Sequence, residues 1–96
     1  PPVVVQRHAY MLYLDNRRPG MPLTGWAVDW DGPERRRLLQ LRCEPGTVLH
    51  QRATLYRPDI KDPRTDGYLG FSLPPPSGPR ATLTDLANGV SLEVSF

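Results

Sequence analysis

Cysteine is almost absent from this chain. Cys43 stands alone among 96 residues, so no intrachain disulfide can form and a disulfide-stapled secreted scaffold is excluded. A lone thiol fits a reducing compartment, and the cytoplasm is the expected location. On a predicted strand with inward parity, Cys43 reads as a small buried hydrophobe rather than a reactive thiol. No apolar run approaches the roughly 18–20 residues of a bilayer-crossing helix, so no membrane partner is expected. No basic, apolar and small-residue order marks a signal peptide. Glycine-rich phosphate loops and nucleophile elbows are missing as well. His8, His50 and Cys43 are singles without a short-spaced partner, so neither a metal nor a cofactor is expected. No catalytic residue is assigned, and an enzyme is not expected. A β domain of 96 residues has little room for a deep pocket.

Lysine is equally scarce. Lys61 faces 11 arginines, and the formal net charge is only +2. The arginine excess fits a GC-rich coding sequence as well as guanidinium forks at a binding surface. Proline and glycine together make 20 of the 96 residues. That is below the roughly 25–30% typical of disordered chains, but it implies many turns. The length suits one domain, residues 1–96.

The hydrophobic pattern is that of strands. Leu23 to Cys43 predicts a β-hairpin, with Trp26, Val28 and Trp30 on one arm and Leu39, Leu41 and Cys43 on the other. The break is Asp31-Gly32-Pro33-Glu34. The tryptophans are the largest apolar surfaces, and the core is expected to be built on them. If they face outward instead, the apolar patch becomes the binding site itself. Pro2 to Leu14 predicts one long strand, although neither of its faces is cleanly apolar. Asp15 to Pro22 is a loop with Pro19-Gly20 as its turn pair, and Glu44-Pro45-Gly46 is a tight turn. Thr47 to Arg57 predicts a further strand, Pro58 to Gly67 a polar loop and Tyr68 to Leu73 a short strand in which Gly70 suggests a bulge. Pro74 to Pro79 is an extended connector. Ala87-Asn88-Gly89 separates Arg80–Leu86 from Val90–Phe96 and is the clearest hairpin cue. About seven strands with frequent turns predict an all-β fold, a small single-domain antiparallel β-sandwich or a partly open barrel.

Arg35-Arg36-Arg37 is the sharpest local feature, and Arg17-Arg18 is a second basic pair. Three cations at a turn suit phosphates, and aromatic residues for base stacking are present. In an up-and-down order the two basic clusters would sit about 23 Å apart, at opposite ends of a seven-residue strand. The acidic Asp59–Asp66 loop would fall at the Arg35–Arg37 end and partly neutralise it. The expected function is therefore a small non-enzymatic β-rich interaction module, binding a protein partner or forming a homo-oligomer. Arg35, Arg36, Arg37, Tyr10, Tyr13 and Tyr56 are the candidate contacts, since Arg and Tyr suit protein interfaces. The alternative is nucleic-acid binding through the Arg35–Arg37 turn. The third reading is an enzyme or calcium-dependent binder using the Asp59–Asp66 loop, whose Asp-Pro and Asp-Gly pairs are also ordinary turn formers.

Overall fold

The computed structural model describes residues 3–15, 18, 20–44, 46–76 and 78–95. Arg17 of the basic pair, Pro19 and Pro45 of the predicted turns, and the terminal Phe96 lie outside the described residues.

Nine strands and no helix are present among the described residues: β1 (Val3–Arg7), β2 (Tyr10–Leu14), β3 (Leu23–Asp29), β4 (Leu38–Cys43), β5 (Thr47–Arg52), β6 (Leu55–Tyr56), β7 (Tyr68–Leu73), β8 (Arg80–Asp85) and β9 (Ser91–Ser95). They form two antiparallel sheets, ordered β1-β2-β3-β7-β6 and β5-β4-β8-β9, packed as a small sandwich. The expected all-β sandwich is what the chain adopts.

Nine strands stand where about seven were expected because two long runs each divide. The first run turns back at His8-Ala9, so that Arg7 pairs with Tyr10. His8 takes a positive φ of 55°, the conformation a two-residue hairpin loop demands. The second run leaves one sheet at Arg52 and enters the other at Leu55. Ala53, fully buried at the corner, donates its N–H to the carbonyl of Arg37.

The predicted Leu23–Cys43 hairpin is corrected. β3 pairs with β2 and β7, whereas β4 pairs with β5 and β8 in the other sheet. The segment between them is a crossing from sheet to sheet. It is pinned where Arg37, just before β4, forks onto Asp85 at the end of β8, with Nε–Oδ2 at 2.7 Å and Nη2–Oδ1 at 3.0 Å. Both side chains are buried, at 8% and 0% exposure, so losing either would strand a buried charge. Asp85 Oδ1 also accepts the N–H of Ala87, which ties the fork to the Ala87–Gly89 turn. That turn behaves as the sequence predicts, with Gly89 at φ 73° and β8 paired to β9.

The tryptophans do not form the core, and this too is a correction. The inward residues of β3 are Leu23, Gly25 and Ala27, so Trp26 between them points to the outer side. Phe71 is directly opposite Gly25, and its ring, with the Tyr13 carbonyl of β2, sits against the space a Cβ there would need. A bulky side chain facing inward on this part of β3 would collide with it. The core is instead a layer of Leu12, Leu14, Leu39, Leu41, Leu83 and Phe71, with smaller residues filling between the sheets.

Because Phe71 is central and Trp26 peripheral, their truncations should differ. Phe71→Ala should cost about 3–5 kcal/mol by urea denaturation. Trp26→Ala should cost about 1 kcal/mol, the scale of its aromatic pairing. Equal losses would contradict this assignment of faces.

Candidate interaction face

Outward-facing residues of the five-stranded sheet line up across the strands. The register places Val4 opposite Tyr13, Tyr13 opposite Trp26, Trp26 opposite Gly70, and Gly70 opposite Leu55. One apolar row therefore crosses all five strands, about 19 Å at ordinary strand spacing. Tyr13 and Trp26 stack with centroids 5.6 Å apart and planes within 14°. Val4 and Leu55 are about half exposed, at 50% and 46%.

Gly70 would leave a gap in this row, and Arg57 fills it. A Cβ at Gly70 would lie 2.9 Å from Arg57 Cγ and 3.1 Å from Cδ, so the arginine stem runs over the glycine. Its guanidinium then forks onto Asp15 at 3.0 and 3.1 Å and onto Asp59 at 2.9 and 2.8 Å. Thr24 Oγ1 donates to the same Asp15 carboxylate. The apolar stem thus lies on the sheet while its charge is consumed at the rim.

A bulge where β6 meets β7 turns two successive residues, Leu55 and Tyr56, toward Gly70 and Tyr68. Tyr56 and Tyr68 are both exposed, with centroids 5.1 Å apart. Beyond β3, Trp30 carries the Arg64 guanidinium 4.0 Å above its ring. The outer side of the other sheet is mainly polar by contrast, with Val48 its one strongly exposed apolar side chain among the described residues. It presents Gln40, His50, Thr82, Thr84, Ser91 and Glu93, with Thr84 and Ser91 hydrogen-bonded at 2.9 Å.

The arginine triplet does not converge. Arg35 is exposed and lies against Gly32. Arg36 donates to Asp66 at 2.7 Å and to the carbonyl of Tyr68 at 3.0 Å. Arg37 is buried on Asp85, 5.5 Å above the ring of Tyr10. Tyr10 is itself only 4% exposed, and among the described residues its hydroxyl has no hydrogen-bond partner. Burial raises that phenol well above its ordinary range, and the Asp85 charge raises it further. Tyr13 and Tyr56 therefore reach the aromatic face, Arg36 lies at its margin beside Tyr68, and Tyr10 and Arg37 are inside. Trp26, Tyr68 and Leu55 join the face without having been expected there. Sequence alone assigns Trp26 to the core by its size, and the bulge that exposes the other two has no mark beyond Gly70.

The acidic loop is likewise engaged residue by residue. Asp59 meets Arg57, Asp62 meets Arg64 and Asp66 meets Arg36. Among the described residues, no three His, Cys, Asp or Glu side chains converge as a metal site would require. An open hollow of about 270 Å³ lies between Arg42 and Arg80 at one end of the four-stranded sheet. It is smaller than the roughly 300–1,000 Å³ of most ligand pockets. Comparison with protein-family models, with curated proteins and with solved structures gave no match.

The loop's ion pairs set its response to acid. Hydrogen bonds from Arg57, Arg64 and Arg36 hold Asp59, Asp62 and Asp66 below the usual carboxylate range, Asp62 at about 2. A carboxylate depressed by folding stabilises above its unfolded pKa, near 4, and loses that contribution as pH falls through the folded value. The Arg64 Nε–H resonance should therefore stay constant as pH falls to about 4 and move as it passes through about 2. A transition near pH 6 would contradict these pairings.

Proposed function

We propose that this chain is a non-enzymatic interaction module that binds a protein partner through the outer side of its five-stranded sheet. One observation carries the reading: the unbroken apolar row from Val4 through Tyr13, Trp26 and the Arg57 stem to Leu55, with Tyr56 and Tyr68 beside it. Contiguous apolar and aromatic groups on one face mark association surfaces, and four of the exposed large apolar side chains, Val4, Leu55, Tyr56 and Tyr68, lie on this one. Aromatic residues and arginine are also the side chains enriched at protein interfaces.

The surrounding charges favour a protein partner over a nucleic acid. Arg36, Arg57 and Arg64 border the face, and each is already matched to a carboxylate of this chain. Phosphate binding draws its strength from cations that release counterions on contact. Paired guanidiniums offer a neutral, orienting rim instead. The reading includes a reducing, cytoplasmic setting, supported by the single buried Cys43.

The test compares two surface variants as baits. Trp26→Ser with Tyr56→Ser alters the aromatic side, and His50→Ala with Thr84→Ala alters the polar side. A complex purified with the wild type should be lost with the first pair, kept with the second, and change little between low and moderate salt. A complex that survives the aromatic-side pair would overturn the proposal. So would micromolar binding of a mixed-sequence oligonucleotide that collapses with salt.

A further inference from the structure

We propose that the outer edge of β1 is a self-pairing surface, which joins two copies of this chain antiparallel, β1 to β1, into one continuous sheet. This rests on the reading that the protein works by association through its five-stranded sheet, and it names one partner: a second copy.

The backbone direction of β1 is set by its neighbour. Ala9 accepts from Trp30 N–H, and Asp15 donates to Thr24, so the odd-numbered residues flanking and within β2 turn their polar groups toward β3. The even residues Tyr10, Leu12 and Leu14 must then bond β1, where the register sets them against Arg7, Val5 and Val3. Val4 and Gln6 are left with N–H and C=O directed at the open edge. Nothing else in the sheet lies beyond β1 among the described residues.

Antiparallel pairing with a second copy satisfies these groups in one register. Val4 of one copy faces Gln6 of the other, and Val5 faces Val5 across the twofold axis. Every edge-facing N–H and C=O of Val4 and Gln6 then finds a partner. The half-buried Val3 and Val5 gain cover on the core side. The two Arg7 side chains fall at opposite ends of the junction, about 13 Å apart along the strand, beyond a Debye length at physiological salt. Val4 heads the apolar row, so pairing sets the rows of both copies on one extended face.

The other edges are less suited to such pairing. In β9, Asp85 N–H bonds Val90 O, which by the same alternation leaves Ser91, Glu93 and Ser95 facing outward. The register that satisfies them all sets Glu93 directly against Glu93, and like charges in that position repel. β6 has only two residues. β5 touches β7 at the corner, where the Ser72 N–H donates to Gln51 Oε1, while Val48, His50 and Arg52 face its edge. The register that satisfies all three sets His50 against His50 and leaves a charged Arg52 at each end. β1 carries neither a charge at its centre nor a bulge, the usual devices against edge pairing.

A five-residue junction is small beside the roughly 1,200–2,000 Å² of standard interfaces, so micromolar affinity is expected. Sedimentation equilibrium over about 1–300 µM should show the mass rising from 10.8 kDa toward twice that value. Gln6→Pro removes an edge-facing N–H, spares the bonds to β2, and should remain monomeric with wild-type circular dichroism. Gln6→Val keeps the N–H and should dimerise. Hydrogen exchange on the wild type removes any dependence on variant folding: Val4 and Gln6 amides should gain protection as concentration rises. A monomer throughout, or exchange at those amides independent of concentration, would overturn the pairing and leave the partner assay on the aromatic side unaffected. A dimer kept in Gln6→Pro but lost in Trp26→Ser would overturn it and assign self-association to the aromatic face.

Discussion

Phe71 packs against Gly25, and that contact shapes both sides of the five-stranded sheet. The Tyr13 carbonyl and the Phe71 ring together take the space that a side chain at position 25 would need. Strand alternation then sends Trp26 outward. There it meets Tyr13 on one side and Gly70 on the other. Close packing at Gly25 on the inner side and the aromatic row on the outer side are thus two faces of one stretch of β3. The same logic runs through Gly70, where the missing side chain admits the Arg57 stem and so connects the row to the ion pairs at its rim.

Four arginines of this protein spend their charge on its own carboxylates. Arg37 closes one end of the sandwich with Asp85, while Arg36, Arg57 and Arg64 tie the Pro58–Gly67 loop to the five-stranded sheet and to Trp30. The five ion pairs differ in burial. Arg37–Asp85 is shielded, and its replacement by apolar residues could be neutral where its halving could not. The loop pairs are partly exposed and individually weak; their effect is to orient the loop and to match the arginines that border the aromatic side.

Much of the fold is legible in the sequence because strand alternation and turn chemistry are local. The Val90–Val94 alternation and the Asn88-Gly89 turn locate the last hairpin directly. The first hairpin is hidden, since His8-Ala9 carries no glycine or proline. Its trace is a parity break: Val3 and Val5 face inward on odd positions, then Tyr10, Leu12 and Leu14 on even ones. One strand cannot do both. The β3–β4 pairing fails for a different reason. Adjacent runs with a turn between them look alike whether they pair or cross to another sheet, and the buried Arg37–Asp85 fork that decides it joins residues 48 apart. At Trp26, size is a poor proxy for burial. Its small inward neighbours, Gly25 and Ala27, are the contrary signal, and with it the aromatic part of the face is readable.

The outward register of β3 supports every other assignment on this face. Its most direct measurement is iodide quenching of Trp26 fluorescence in a Trp30→Phe background. The structure predicts an emission maximum typical of a half-exposed indole and clear quenching by iodide. A blue-shifted, unquenched signal would place the indole in the core and contradict the register, the apolar row and the binding face together.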